Sequence, residues 1–445
     1  MRSSVLSLLL LAAGCAAEPA GPVAVPIVYP KNAPPPPVTA AAPATPLAPT
    51  PAPAPATAPA SPRRPRPAGV PATLVGKDPA ADEILAGTTS SVMKTVLASP
   101  ETYRFQVLYS VVKEGAKPTL ERHGWRTDAE YFFPASSMKV PIALAAYERM
   151  NALRKAGKAG FTRDAMMQIY PSKGTGAPTT TSLARETARA LIVSDNFSAN
   201  RLLAITGHRE IHETCFGLGL SSTRVRSGFA TGEELDPAEV SPRIVVGGAE
   251  LPARKSTLTL PPNDAKSLDI GTAYIDDKGR RVNEPMPFKE KNAMRLQHLQ
   301  DALIRIMRPD LLPTRLNSIY AAGATSEDVA YLRETLGTLP SESGLAGYDR
   351  NIVADYPLSP FLRGIERVRP RGQFQIFQKV GQAYGFLIHN AYIVDKASGK
   401  SFFLIAAIYA NADGVLNDDL YNYETVSFPA LADVGEAFTR DAFED

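Results

Sequence analysis

Cysteine, tryptophan and net charge are all scarce in this chain of 445 residues. It has two cysteines and one tryptophan, and 48 basic residues nearly balance 45 acidic ones, for a net charge of +3. Two cysteines exclude a small scaffold built on disulfides. The near-neutral charge argues against nucleic acid as the principal partner. The apolar run at residues 5–13 is too short to cross a bilayer as a stable helix, which takes about 20 residues.

Proline, by contrast, is abundant and unevenly placed, because 19 of the 40 prolines lie between Ala16 and Pro71. This Ala/Pro-rich composition cannot bury apolar surface and favours polyproline II, so residues 16–77 are expected to be a stiff, disordered tether. Before it, residues 1–15 have the charge and apolar run of an export signal.

The export signal ends in Ala-Ala-Gly-Cys, which resembles a bacterial lipobox with Cys15 as the lipidated residue. A plain secretory signal cleaved nearby, with Cys15 incidental, is the alternative. Ala16 after Cys15 resembles outer-membrane lipoproteins. The expected location is therefore the bacterial cell envelope, with a lipid anchor in the membrane, on the periplasmic side of the outer membrane if the host has two membranes.

The sequence of residues 78–445 predicts one α/β domain, more closely of the α+β class. Helical patterns occupy residues 82–97, 136–153, 182–206 and 428–443, and strand patterns occupy 103–112, 119–126, 373–380, 385–394 and 401–409. Strands at both ends with helices between them predict an antiparallel sheet built from both chain ends, with flanking helices and an inserted helical region.

A Ser-x-x-Lys motif places a hydroxyl and an amine one helical turn apart, where the amine can take a proton from the attacking hydroxyl. It occurs at Ser91, Ser110 and Ser136. Ser110 lies in a strand pattern, where residues three apart point to opposite faces. Ser91 is predicted inside an amphipathic helix without an exposed start. Ser136, with Lys139, is predicted at a helix N-terminus, whose free N–H groups and dipole stabilise a negative oxygen.

Two further motifs follow, Ser-Asp-Asn at residues 194–196 in a helical pattern and Lys-Val-Gly at 379–381 at the end of a strand. Ser-x-x-Lys, Ser-Asp-Asn and Lys-Thr-Gly are the signature of class A β-lactamases and penicillin-binding proteins. The sequences FPASSMKVP (133–141) and VSDNFSAN (193–200) resemble the class A versions. This resemblance, over residues 82–445, implies a fold like that of β-lactamases and DD-peptidases.

The resemblance also implies roles. Ser136 would be the acylated nucleophile and Lys139 its base, while Ser194 would protonate the leaving nitrogen. Asn196 would orient Lys139 and the substrate amide. The implied substrate-binding residues are Lys379, facing a substrate carboxylate, Gly381, and Gln382, whose N–H would form the oxyanion hole with that of Ser136.

The implied function is that of a serine hydrolase that attacks a β-lactam or a related amide through an acyl-serine intermediate. The alternatives are a D-alanyl peptidase acting on peptidoglycan peptides, like the penicillin-binding proteins, and a non-catalytic envelope protein that binds such peptides. No cofactor and no metal are implied.

Two departures from the family pattern stand out. Val380 replaces the Thr or Ser whose hydroxyl would bind a substrate carboxylate. The Glu-x-x-Asn with which class A enzymes activate water is also missing after Ser-Asp-Asn. Glu233 or Glu234 is a possible deacylation base, although a solvated acidic turn is the preferred interpretation of that segment.

The interval from Ser194 to Lys379 is longer than is usual in the family, which predicts an insertion at 238–351. The insertion either shapes a substrate groove or forms packed surface. It includes a hairpin-like turn at 274–279 and a helical pattern at 291–307.

His208, His212 and Cys215 would share one helical face, as metal ligands can. Their spacing matches no established zinc signature, and a helix surface with a buried cysteine is the preferred interpretation. A Cys–His nucleophile is the third possibility.

Overall fold

The computed structural model describes residues 77–171, 176–229, 240–312, 325–348 and 354–444. The predicted signal peptide with Cys15, almost all of the predicted tether, and Glu233 and Glu234 lie outside these residues.

Helices and strands alternate through the described residues. The α-helices are α1 (Pro79–Ala86), α2 (Ser91–Ala98), α3 (Lys139–Lys155), α4 (Leu183–Ile192), α5 (Asn196–Thr206), α6 (His208–Gly217), α7 (Leu296–Met307), α8 (Ser326–Gly337), α9 (Leu362–Val368) and α10 (Phe428–Glu444). The strands are β1 (Gln106–Lys113), β2 (Thr119–Trp125), β3 (Met167–Ile169), β4 (Thr179–Thr181), β5 (Val240–Ser241), β6 (Ile244–Val246), β7 (Ala249–Leu251), β8 (Arg254–Lys255), β9 (Asp269–Ile270), β10 (Ala273–Ile275), β11 (Arg281–Val282), β12 (Met286–Pro287), β13 (Phe374–Ala383), β14 (Phe386–Asp395), β15 (Ser401–Tyr409) and β16 (Val415–Leu416).

The main sheet has five antiparallel strands in the order β13-β14-β15-β1-β2. Its central contact joins the two ends of the chain, because β1 pairs with β15 in a register that sets Gln106 opposite Ala407. The predicted α+β architecture, with a sheet built from both chain ends and helices between them, is therefore confirmed.

Apolar side chains on both faces of this sheet bury it between two helical layers. Val107 and Tyr109 of β1 pack in one apolar cluster with residues of α1, α2, α9 and α10. Leu108 points to the other face and packs in a second cluster with residues of α3 to α8. The alternation follows from the two-residue period of a strand, and on this second face α7 packs directly against β14, β15 and β1.

Two predicted helices prove to be broken. The pattern at 82–97 is divided into α1 and α2, because Gly87 ends α1 and the Ser90 hydroxyl accepts the N–H of Met93 as an N-cap. The prediction that Ser91 lies inside a helix is therefore wrong, since Ser91 is the first residue of α2. The pattern at 182–206 likewise divides into α4 and α5, because Asp195 caps α5 by accepting the N–H of Ser198 at 2.7 Å.

The predicted insertion at 238–351 stays a prediction, but its described parts are not peripheral. The predicted hairpin turn joins β10 to β11. Helix α7 begins at Leu296 rather than at 291, and its Gln300 donates to Leu108 O at 3.0 Å and accepts from the Ser110 hydroxyl. This helix is therefore part of the core beneath β1. Among the described helices, none combines the length and the apolar character that a bilayer span requires.

Candidate active site

Ser136 lies in a 3-10 turn, Ala135–Met138, that leads directly into α3. Ala135 has a φ of +46°, a strained conformation for a residue with a side chain and one that is often found at functional sites. The Ser136 hydroxyl forms no hydrogen bond with the other described residues, and Ser136 is 6% exposed. The neighbouring Ser137 hydroxyl is instead tied to Pro134 O. Ser136 therefore carries the hydroxyl of this turn that is free to react.

Lys139, the first residue of α3, is 0% exposed. Its Nζ donates to Ser194 O, to Asn196 Oδ1 at 2.8 Å, and at 3.3 Å to both Ser194 Oγ and Asp195 O. Burial, and then the charge of Lys379, hold the pKa of Lys139 well below its ordinary value, while Asp195 opposes them. A buried amine of this kind is suited to accept a proton near neutral pH.

Lys379 reaches the same serine from the sheet. Its Nζ donates to Ser194 Oγ at 3.0 Å and to Val380 O at 3.0 Å, and Lys379 is only 2% exposed. Burial lowers the pKa of Lys379 to about 7. Ser194 Oγ thus lies between two buried amines, one from α3 and one from β13, an arrangement able to relay a proton.

The break between α4 and α5 presents Ser194 to both lysines. Ser194 has a φ of +60°, in the left-handed region that few residues other than glycine adopt. Asp195 Oδ2 accepts from Arg189 at 3.0 Å. Although burial raises the pKa of Asp195, its hydrogen bonds from Ser198 and Arg189 lower it more, so this cap stays ionised and holds the bend. The expectation that Ser-Asp-Asn lies within a helix is corrected, because the motif forms the corner between two.

Gly381 lets β13 lie directly against the turn that carries Ser136. A Cβ at this position would stand 2.4 Å from Pro134 O, 2.8 Å from Ser137 N and 3.1 Å from Ser136 N, and the first two distances are too short for any side chain. Gln382, the next residue, is half-buried on the same strand. The close approach explains why the motif needs glycine here, and it brings the Gln382 backbone near that of Ser136.

Val380 points away from Lys379, as alternation along β13 requires. It is buried in the same apolar cluster as Val193 and Leu339. The position that was expected to carry a carboxylate-binding hydroxyl is therefore part of an apolar core.

Phe229 and Asn200 were not singled out from the sequence, yet both belong to the site. The Phe229 ring centroid lies 4.8 Å from Lys139 Nζ. The buried Asn200 side chain fixes the Phe229 backbone, since Nδ2 donates to Phe229 O at 3.0 Å and Oδ1 accepts Phe229 N–H at 2.8 Å. One signal was available: Asn200 lies one helical turn after Asn196, on the same face of α5.

An aromatic wall stands at the edge of the site beyond Gln382. The half-buried rings of Phe133 and Tyr384 meet edge to face, with centroids 5.0 Å apart. Phe288, from the predicted insertion, packs against Phe133 at 5.9 Å and against Tyr384 at 5.4 Å. The insertion segment thus helps to position this edge.

The face of α6 that carries His208, His212 and Cys215 is packed inside the domain rather than at its surface. His212 Nδ1 donates to His208 O at 2.7 Å, and His212 Nε2 accepts the N–H of Val225 at 3.0 Å. Burial lowers the pKa of His212 to about 4 and raises that of Cys215 to about 12. Both side chains are therefore neutral structural groups, and within the described ranges no cluster of His, Cys, Asp and Glu side chains is suited to hold a metal ion.

Solved structures similar to this chain include β-lactamases. The enzyme from Sphaerobacter thermophilus is 13% identical, with 82% of this chain and 98% of that chain covered and a TM-score of 0.44. The β-lactamase from Burkholderia vietnamiensis is 13% identical over 80% and 97%, with a TM-score of 0.43. A PBP-A variant, solved as an acyl-enzyme complex with penicillin G, is 12% identical over 82% and 97%, with a TM-score of 0.45. None of the curated proteins matches the sequence.

The family comparison concerns the first half of the domain, where Ser136, Lys139, Ser194 and Asn196 lie. Lys379, Gly381 and Gln382 fall outside the matched segment and join the site through the sheet. Residues 105–268, which carry the Ser-x-x-Lys and Ser-Asp-Asn motifs, match the model of the β-lactamase enzyme family.

Proposed function

We propose that this protein is a serine hydrolase that opens a β-lactam, or a related amide, through an acyl-Ser136 intermediate. The observation that carries the proposal is the position of Ser194 Oγ, 3.3 Å from Lys139 Nζ and 3.0 Å from Lys379 Nζ. A serine with a purely structural role does not require two buried amines beside its hydroxyl, whereas a serine that relays a proton does.

In the proposed acylation, Ser136 Oγ bonds to the carbonyl carbon and gives its proton to neutral Lys139. The carbon–nitrogen bond then breaks, and the leaving nitrogen takes a proton through Ser194. The N–H groups of Ser136 and Gln382 would stabilise the oxyanion, each contributing about 3–4 kcal/mol. Asn196 would hold the Lys139 amine in place through its 2.8 Å hydrogen bond.

Intact-protein mass spectrometry after incubation with benzylpenicillin tests the proposal. The protein should gain the mass of one penicillin, and Ser136→Ala should gain none. Ser91→Ala is the matched control, because Ser91 also begins a helix and precedes a lysine by three residues, and it should acylate like the unmodified protein. No adduct on either protein, together with no hydrolysis of the benzylpenicillin, would overturn the proposal and favour a non-catalytic binding protein.

A peptidase of the penicillin-binding type is the second candidate. The contact between the Phe229 ring and Lys139 favours it, because a ring beside this amine keeps water away from it and so slows removal of the acyl group. The two enzymes share acylation and differ in how fast water removes the acyl group. Steady-state hydrolysis of a chromogenic cephalosporin separates them, because only a β-lactamase would turn it over rapidly.

The lipid anchor at Cys15, the tether at 16–77 and the location in the cell envelope remain part of the proposal, supported by the lipobox-like sequence alone. Fractionation of cells that produce the full chain should place the protein in the membrane and Cys15→Ser in the soluble fraction. Equal distribution of the two proteins would contradict the anchor.

A further inference from the structure

The surroundings of Lys139 combine several oxygen acceptors with one aromatic ring. The acceptors come from Ser194, Asp195 and Asn196, and the ring is that of Phe229, with its centroid 4.8 Å from Nζ. A ring in this position favours a cation and excludes water from the surface that it covers.

Two buried asparagines hold this part of the chain in place. Asn200 binds both the N–H and the C=O of Phe229. Asn292 Oδ1 accepts the N–H groups of Arg226 and Ser227 at 2.7 and 3.1 Å, and its Nδ2 donates to Ser227 O at 3.1 Å. Five main-chain groups of residues 226–229 are thus bonded to the side chains of Asn200 and Asn292, and the bonds to Asn200 are those that fix Phe229 beside Lys139.

Removal of the acyl group by water sets a chemical requirement. The water oxygen must bond to the acyl carbon, the ester bond to Ser136 Oγ must break, and one proton must pass from the water to Oγ through a base. Among the described residues, the acid whose charge acts on Lys139 is Asp195. The Asp195 carboxylate already accepts hydrogen bonds from Arg189 and from Ser198 N–H. Among the described residues around Ser194, Lys139 is therefore the candidate base for this hydrolysis.

We propose that Phe229 is a positioning residue that shields Lys139 from water after acylation, so that the acyl-Ser136 ester is long-lived. This inference rests on the proposed function and deepens it, because it assigns the slow step to hydrolysis of the ester. It also identifies Asn200 as the residue that keeps the shield in place.

The test measures the lifetime of the benzylpenicillin adduct by mass spectrometry after excess antibiotic is removed. In Phe229→Ala the ester should hydrolyse about tenfold faster or more, since a base that gains access to water commonly contributes at least that factor. Phe229→Leu keeps an apolar cover and should restore a long lifetime. Asn200→Ala, which retains the ring but releases its backbone, should shorten the lifetime less than Phe229→Ala does.

A pH profile separates shielding from a structural effect. The hydrolysis rate of the Phe229→Ala adduct should rise with pH as Lys139 loses its proton, whereas the adduct of the unmodified protein should show little dependence. A loss of packing alone would change the amount of adduct formed and not the pH profile of its decay.

The outcomes distinguish the two proposals. No adduct on the unmodified protein and no hydrolysis of benzylpenicillin defeat the proposed function, and the inference falls with it. An adduct that the unmodified protein hydrolyses rapidly, with the speed lost in Glu233→Gln or Glu234→Gln, leaves the function standing and overturns the shield. An adduct equally stable in the unmodified protein, Phe229→Ala and Asn200→Ala also overturns it.

Discussion

Two Ser-x-x-Lys motifs in this protein stand at the start of a helix, and only one of the two lies in the proposed active site. Ser91 begins α2 and Ser136 lies in the turn that begins α3. Ser91 and Lys94 are both exposed, whereas Ser136 and Lys139 are both buried. The sequence spacing and the helix terminus are shared, so neither of them distinguishes the two pairs.

The difference lies in what surrounds each lysine. Lys139 is enclosed by the corner at Ser194–Asn196 and by Lys379 on the sheet, and this enclosure lowers its pKa. Lys94 projects from α2 at the surface. The comparison teaches that a short motif acquires chemistry from residues distant in sequence that remove water from it.

The largest effect that would test this comparison is expected from Lys139→Arg. Arginine keeps the positive charge but does not release a proton near neutral pH, so it cannot act as the base. Acylation of Ser136 by benzylpenicillin should slow about 10²-fold or more. Lys94→Arg should leave the rate within about threefold. Rapid mixing followed by mass spectrometry measures both acylation rates. If Lys139→Arg were acylated as fast as the unmodified protein, the proposed role of Lys139 as the base would be contradicted.

Gly381→Ala should have the next largest effect, because it separates β13 from the turn at Ser136. The new Cβ meets main-chain atoms of Pro134 and Ser137, which cannot rotate aside. We expect a loss of about 1–3 kcal/mol in the free energy of unfolding and a clear fall in the acylation rate. Gly115→Ala is the control, since a Cβ there would meet no atom within 4 Å. Equal stability of the two variants in urea unfolding would refute the close approach.

Lys379→Met sharpens the comparison by removing the second buried amine. The pKa of Lys379 is about 7 in the folded state and about 10.4 in the unfolded state. Between these values the unfolded state binds the extra proton, so the free energy of unfolding should rise with pH, by up to about 1.4 kcal/mol per pH unit. Below about pH 7 both states hold the proton and this contribution is flat.

Urea unfolding between pH 7 and pH 10 measures this dependence. Lys379→Met should lower the pH slope by about one proton. The same slope in the unmodified protein and in Lys379→Met would show that Lys379 stays charged in the folded state.

The smallest effect is expected from Val380→Thr, which restores the hydroxyl usual in the family. Because Val380 is buried among apolar side chains, the added hydroxyl should lower the free energy of unfolding by about 1–2 kcal/mol and change the acylation rate less than about threefold. Thermal unfolding and adduct formation measure the two quantities. A tenfold gain in acylation would instead place this residue beside the substrate.

The strands and an antiparallel sheet built from both chain ends could be predicted from the sequence, because strand alternation and apolar periodicity are local signals. The breaks between α1 and α2 and between α4 and α5 could not be predicted as easily. The break at Ser90 and the bend at Ser194 depend on single side chains that cap a helix, and a periodic pattern continues across them.

The cluster around Ser136 was predicted from motifs, and the geometry brings Lys139, Ser194, Asn196 and Lys379 together. Phe229 was missed because nothing in an isolated phenylalanine indicates a site. Its place depends on Asn200, which reaches it across 29 residues of sequence.

The pairing of β1 with β15 sets the order in which this protein can mature. Ser136, Lys139 and Ser194 are synthesised early, whereas Lys379 and the strands that cover it come near the end of the chain. Such distant pairing closes slowly, because the entropy of a very long loop is lost before the contacts form. A chain that stops before Phe402 lacks the pairing of β15 with β1. The proposed active site around Ser136 therefore lacks Lys379 until synthesis is almost complete, so this site and the sheet are completed together.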